Sequence, residues 1–330
     1  MLFDASAILR TGSLRQLAGT RHCILTNGGG GGVRAIDVNT GGGLQYTILP
    51  DRGLDISLAS FKGVNFSYLS PQEELSAAYY DCKADGWLRT FFAGLLTTCG
   101  PVNYGPASEH EGMTYGLHGR FNVTPAVDVC DETDVAEGLI KIKGRIANFV
   151  LFGEKIEIRR TISSVVGQNT ISINDVVTNH SDESTPNMMM YHINFGYPLL
   201  DDNADVYVNS ESFAGFDEYS RKHIDDIWSF GPPCVDNREK NYLHTMDREV
   251  PGIAGIRNEK LGFGVQISFN TGTLPFLNQW KYERARDYVL SLEPANAPCD
   301  SISAVSGEGK LPILGPGCSV AYGVEIAVKE

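Results

Sequence analysis

Apolar and polar residues alternate along most of this chain with the period of two that belongs to half-buried strands. The longest runs, residues 139–147, 149–166 and 170–178, read as successive antiparallel strands, the last two joined by a tight turn at Gly167-Gln168. Most of the 36 glycines fall between such runs, as at residues 27–32, 41–43 and 315–317. Short turns of this kind join antiparallel strands, not the helical crossovers of a parallel sheet. Helix signals are sparse. Ser70-Pro71-Gln72-Glu73 has the order of a capping box and predicts a helix from Pro71 to about Tyr80, and a second short helix is expected near residues 221–228. With no repeat, low-complexity tract or linker in between, the expectation is an all-β protein forming one domain over residues 1–330.

Composition adds that the chain can fill a core, since 42% of it is hydrophobic and 10% aromatic. Its net charge of −13 comes without a basic run longer than a pair, which argues against nucleic acid and anionic membrane and for a neutral small molecule or another protein as partner. A homo-oligomer is compatible with this surface. The chain has no apolar stretch of spanning length and no secretion signal at its start. Its seven cysteines lack any Cys-x-x-Cys pair, so free thiols in a reducing compartment, the cytoplasm, are expected in place of a disulfide framework or zinc ribbon.

Candidate chemistry concentrates in four segments. In residues 189–197 a strand places Met189, Tyr191, Ile193, Phe195 and Tyr197 on one face, and His192, Asn194 and Gly196 on the other, a small polar face able to move protons. A satisfied core histidine is the competing reading. In residues 287–296, Glu293 lies opposite Tyr288, Leu290 and Leu292 at the mouth of a strand that Pro294 is expected to end. In residues 114–120, His118 and Arg120 share a strand face with Gly116, and the glycines leave room for a ligand. Around residues 49–56, Asp51 and Arg52 form either a surface turn with a weak ion pair or a site where Arg52 offers its planar fork to a ligand oxygen. Other motifs fail on context. The Gly28–Gly32 run leads into a strand and reads as a hairpin, Asp201-Asp-Asn-Ala-Asp205 lacks the distal Glu of a calcium loop, and neither Gly-x-Ser-x-Gly nor His-Glu-x-x-His occurs.

Taken in order, Pro50-Asp-Arg-Gly-Leu-Asp-Ile56, Leu117-His118-Gly119, Tyr191-His192-Ile193-Asn194-Phe195 and Leu292-Glu-Pro-Ala-Asn296 resemble the aldose 1-epimerase, or galactose mutarotase-like, superfamily and its little-characterised aldose-epimerase-like branch. The resemblance runs from about Asn27 to the C-terminus. It implies a large two-sheet antiparallel β-sandwich with a sugar cleft, His192 as general acid, Glu293 as general base and His118 as a sugar contact, with Asn194 beside them and no cofactor or metal. It departs from the family around residues 93–100, where the well-studied mutarotases carry an arginine and this chain has none, so Arg52 or Arg120 is the expected substitute. The implied activity is an isomerase that interconverts the anomers of a free sugar or sugar derivative by acid–base ring opening. A non-catalytic carbohydrate-binding or sugar-sensing protein on the same scaffold is the alternative from another class. A two-histidine, one-carboxylate metal site built from His118, His192 and Glu293 is a third reading.

Overall fold

The computed structural model describes residues 9–330 and consists mainly of two large antiparallel sheets. The larger, of eleven strands, runs across the molecule in the order Gly19–Ile24, Arg34–Asn39, Leu44–Leu49, Asp55–Phe61, Leu96–Cys99, Met190–Phe195, Tyr288–Ala295, Phe276–Glu283, Lys240–Thr245 and Ser212–Gly215, with Val64–Asn65 added beside Asp55–Phe61. The smaller has eight strands, ordered Val127–Asp131, Leu139–Phe149, Lys155–Val165, Thr170–Asn179, Ser319–Lys329, Phe263–Phe269, Gly252–Asn258 and Ala204–Val208. This is the expected all-β sandwich. The glycine-rich stretch after Ile24 does turn a hairpin, pairing Gly19–Ile24 with Arg34–Asn39.

Alternation explains the layers. Ile142, Ile146, Ile158, Ile162, Ile171 and Ile173 point from the smaller sheet into the space between the two, where they meet Ile56, Tyr191, Ile193, Phe195, Leu290 and Leu292 from the larger. Each such side chain stabilises the fold by roughly 1.5–3 kcal/mol through removal from water. The larger sheet's other face carries a second cluster, including Trp87, Phe91, Met190, Ala295 and Val305, held under the loops that precede residue 122 and follow residue 296. The face assignment of residues 189–195 therefore holds in the structure, but Tyr197 lies beyond the strand and is 73% exposed.

Between the sheets a guanidinium is buried whole. Arg160 uses all five N–H donors: Nε and Nη2 on the two oxygens of Asp175, Nη1 on Asp55 Oδ1 and the Gly53 carbonyl, and Nη2 again on Thr98 Oγ1, at 2.7–3.2 Å. Tyr191 adds its hydroxyl to Asp175 at 2.8 Å, and Thr98 gives both its N–H and its hydroxyl to Asp55. This network ties three strands of the larger sheet to two of the smaller.

Several local expectations are corrected. No α-helix covers residues 71–80: Glu73 sits at φ 53°, the left-handed region, and the segment closes in a 3-10 turn, Ala77–Tyr79, capped by Ser76. Tertiary partners override the capping box, since Ser70 donates to the Phe91 carbonyl and Ser76 N–H to the Gly29 carbonyl. The second helix begins earlier than expected, at Glu218–Lys222, because Asp217 caps it by accepting from Ser220 N–H. A third element, the helix Ile302–Gly307 capped by Ser301, was not foreseen. The strand expected over 149–166 begins only at Lys155, after an exposed turn bearing Leu151 and Phe152.

Candidate functional site

Register brings the histidine and the glutamate together. The strand Met190–Phe195 pairs with Tyr288–Ala295 at Met190↔Ala295 and again at Ile193↔Leu292, so the same register sets His192 directly across from Glu293. Directly opposed residues of neighbouring antiparallel strands have Cβ atoms about 4.5–5.5 Å apart. Pro294 does not end its strand as expected. It has no N–H to give, and it falls in the gap of this ladder, opposite Tyr191, while its other edge keeps register with Leu277. The row continues outward through Glu293↔Asn278 and Asn278↔Leu243, and the row beside it runs Ser291↔Trp280 and Trp280↔Asn241.

His192 is held in one tautomer. Asn194 Nδ2 donates to the His192 carbonyl at 3.0 Å, which turns Asn194 Oδ1 toward His192 Nδ1 at 2.7 Å. Ser291 Oγ lies 2.9 Å from the same nitrogen and gives its own proton to the Ile193 carbonyl. Facing two acceptors, Nδ1 carries the proton of the neutral ring, so the Nε2 lone pair faces Glu293 Oε1 at 3.3 Å. Asn194 thus stands behind the imidazole and positions it, rather than touching a ligand.

Both partners are almost wholly buried, and burial moves them in opposite senses. Loss of water pulls the His192 imidazole down to about 3, and pushes the Glu293 carboxyl up to about 7 against the Asn278 amide, which donates to Oε2 at 2.8 Å. Glu293 Oε1 and Asn278 Oδ1 are buried without a hydrogen-bond partner. Each unmet acceptor costs about 1–3 kcal/mol, and such sites in native proteins call for a reason.

These atoms face a hollow of about 320 Å³. Phe91 and Trp280 stand edge-on to the His192 ring at 5.2 and 5.6 Å, and His118 lies 5.9 Å from it across the same space. Residues 116–119 form a loop and not the expected strand. His118 adopts φ 57° and Gly119 φ 73°, and a Cβ at Gly119 would meet the Asn103 and Gly100 carbonyls at 2.4 and 2.6 Å. That tight loop tucks His118 against Trp87, with Nδ1 accepting from Gly105 N–H at 3.3 Å. The neutral ring therefore keeps its proton on Nε2. Burial pulls this imidazole down to about 3 as well, with the His192 ring adding to the effect.

Three other expected site residues lie elsewhere. Arg52 is fully buried, donating to the carbonyls of Leu75, Thr90 and Asn122 and packing on the Phe92 ring, so it staples loops and does not line the hollow. Asp51 pairs with Arg34, not Arg52, accepting from its side chain and backbone N–H. Arg120 is exposed, its guanidinium over the Tyr80 ring at 5.5 Å. Neither arginine replaces the one missing near residue 95, and the hollow is lined by Asp85, Glu239 and Glu293 with no Lys or Arg. Among the described residues no group of three His, Cys, Asp or Glu is arranged to hold a metal ion, which removes the support for the two-histidine, one-carboxylate reading. Nor is any helix among them long and apolar enough to cross a membrane.

Sequence reasoning missed Asn278, Ser291, Trp280 and Phe91. Trp280 and Asn278 alternate with Leu277 and Gln279 in a strand-like pattern, but which face would meet Glu293 depends on cross-strand register, which one sequence does not display.

In fold the chain is similar to solved β-sandwiches of the galactose mutarotase-like kind. A candidate aldose 1-epimerase from Klebsiella pneumoniae superimposes with a TM-score of 0.88 at 24% identity, covering 98% of this chain and 86% of that one. A galactose mutarotase-like protein from Clostridium acetobutylicum gives 0.69 at 14% identity, covering 96% and 99%. Galactose 1-epimerase from Lactobacillus acidophilus gives 0.63 at 12%, covering 95% and 99%. At these identities the likeness is one of fold. By sequence, the chain belongs to the family described as domain of unknown function DUF4432, whose model matches residues 30–328. No functionally curated protein matches it.

Proposed function

We propose that this protein is a carbohydrate anomerase, an isomerase of the aldose 1-epimerase kind acting on a neutral reducing sugar, and that it works as one domain in a reducing, cytoplasmic setting. The observation that carries the reading is the 3.3 Å approach of His192 Nε2 to Glu293 Oε1 at a hollow where Oε1 lacks a hydrogen-bond partner. The acidic lining, without a cation, favours a sugar bearing no phosphate or carboxylate.

Ring opening removes a proton from the anomeric O1–H and delivers one to the ring oxygen as the C1–O5 bond breaks and the C1 carbonyl forms. Rotation about C1–C2 and the reverse transfers close the ring on the other face. The histidine–glutamate pair needs one proton between them. In the empty cleft burial leaves that proton on Glu293. A sugar whose O1–H donates to Oε1 stabilises the carboxylate, and the proton then belongs on Nε2, facing the ring oxygen. His192 becomes the acid and Glu293 the base, the assignment the resemblance implies. Both arrangements carry the same number of protons, so a pH profile reports the pair, not either residue alone. His118 Nε2–H is placed to donate to a sugar oxygen, and Phe91 and Trp280 offer apolar surface to the ring's C–H faces.

The test is anomer exchange by NMR over a panel of aldoses and ketoses. Wild type accelerates exchange, and Glu293→Gln lowers kcat by about 10²–10⁴-fold while sugar binding persists. A Glu293→Gln variant with full activity overturns the base assignment. Sugar binding by wild type with exchange at the uncatalysed rate favours instead a carbohydrate-sensing protein on this fold.

A further inference from the structure

The hairpin that joins Leu139–Phe149 to Lys155–Val165 in the smaller sheet ends in an apolar turn that the fold leaves uncovered. Phe149 and Val150 are half-exposed, Leu151 is 81% exposed and Phe152 95%. Phe152 also sits at φ 65°, in the left-handed region that glycine or asparagine adopts readily and a bulky residue rarely does. Two backbone bonds hold it there, from Val150 N–H to the Glu154 carbonyl at 2.8 Å and from Gly153 N–H to the Val150 carbonyl at 3.1 Å. Phe149 leans on the His180 ring at 6.2 Å, so the base of the turn is anchored while its crest is bare. Directly after the crest come Glu154 and Lys155. Neither has an ion-pair partner among the described residues, and the Lys155 ammonium donates to the Gly153 carbonyl of its own turn at 3.1 Å.

We propose that this turn is the contact through which two copies of the chain pair about a two-fold axis, with Leu151 and Phe152 of one copy packed against the same residues of the other. The proposal is independent of the anomerase reading. Contiguous apolar surface left bare marks an interaction site, and the charges flanking this one say which partner fits. In a two-fold contact a patch meets itself, so residue i of one copy faces residue j of the other and j faces i. Glu154 of each copy then meets Lys155 of the other, and a second copy supplies both complements from a single turn. Over the rest of their surfaces two chains of net charge −13 repel each other, whereas the four apolar side chains carry no charge and Glu154 and Lys155 sum to zero. Area sets the strength. With about 150–250 Å² for each phenylalanine, the crest offers roughly half of the 800 Å² per partner that a stable interface buries. The dimer is therefore expected to exchange rapidly with monomer and to dissociate in the micromolar range or above.

Sedimentation velocity from micromolar to millimolar protein tests this on wild type, Phe152→Asn, Leu151→Asp/Phe152→Asn, Glu154→Lys and Glu154→Lys/Lys155→Glu. Wild type is expected to move from monomer toward dimer with concentration, and Leu151→Asp/Phe152→Asn to raise the dissociation constant by about tenfold or more. Glu154→Lys weakens the dimer because like charges then face each other, and the double reversal restores it because the exchanged charges still match across the axis. Asparagine suits the left-handed backbone, so Phe152→Asn keeps the urea midpoint of wild type or raises it. A wild type that stays monomeric throughout overturns the proposal, as does binding of that monomer to phosphatidylcholine vesicles through the same turn, which would make the crest a membrane contact. A dimer that neither the Leu151 and Phe152 substitutions nor Glu154→Lys weakens, or a double reversal no better than the single one, overturns it as well. So does a lowered midpoint in Phe152→Asn, which would show that the ring packs on its own chain.

Discussion

The larger sheet buries ionisable groups on both of its faces, and the two faces treat them differently. Toward the smaller sheet, Arg160, Asp55 and Asp175 are fully enclosed, every guanidinium donor has an acceptor, and Thr98 and Tyr191 fill the carboxylates' remaining positions. On the other face, one residue along the same strand from Tyr191, His192 meets Glu293 at a distance that leaves Oε1 without a hydrogen bond, and Asn278 Oδ1 has none either. A compensated buried charge holds a structure in one arrangement. A carboxyl that burial keeps protonated beside a cavity, with Oε1 lacking a hydrogen-bond partner, is held in a state that a ligand can change, which is how binding energy becomes available for proton transfer.

The comparison is broken most forcefully from the compensated side. Arg160→Met strands two carboxylates in the core, and the expected loss is about 3–5 kcal/mol in urea denaturation, because removal of one partner leaves buried charge unpaired. Adding Asp55→Asn and Asp175→Asn to it is expected to recover most of that loss. A loss under about 1 kcal/mol for Arg160→Met alone would mean that water reaches this network and that the two faces do not differ in kind.

Legibility followed the same division. Alternation marked Tyr191 and Ile193 as core and His192 and Asn194 as the opposite face, and the ordered motifs pointed to Glu293 and His118, because period and motif are local properties of a sequence. Arg52 and Asp51 were misplaced for the opposite reason. A buried arginine that caps loop carbonyls and a surface arginine aimed at a ligand look alike until the loops around residues 75, 90 and 122 are folded over it. Asp55, two residues past Gly53 in the same motif, carries the network to Arg160, a partner 105 residues away that no local pattern indicates.

From the uncompensated side, Glu293→Gln should stabilise the protein while it disables it. The folded-state pKa of about 7 lies above the ordinary 4.5, so the fold favours the protonated carboxyl. The glutamate's contribution is fully present below pH 4.5 and is lost as pH rises through 7. An amide mimics the protonated form at every pH. The variant is therefore expected to match wild type in stability near pH 4 and to exceed it by about 3.5 kcal/mol at pH 8, from the roughly 1.4 kcal/mol that each pKa unit represents. Equal unfolding midpoints at pH 8 would show that Glu293 is compensated after all, and the contrast between the faces would lose its energetic basis.

The smallest effect tests the amide that aims His192 on the cavity side. Asn194 Oδ1 accepts from Nδ1, and a neutral acceptor there does little to favour imidazolium. Asn194→Asp keeps the acceptor and its distance but adds negative charge beside the pair, so both His192 and Glu293 hold their proton to higher pH. Activity requires that one proton, and wild-type kcat/KM is expected to fall above about pH 7, where Glu293 loses it in the free enzyme. In Asn194→Asp the same limb moves up by about one pH unit at similar maximal rate, the shift that about 1.4 kcal/mol of added interaction produces. Asn194→Leu removes the acceptor and adds no charge. Ser291 remains as a weaker guide, so the maximal rate drops while the limb stays at or below its original position. A role in strand packing alone predicts the same pH profile for all three proteins, because packing carries no charge. An unmoved limb in Asn194→Asp would therefore detach Asn194 from the proton economy of the site.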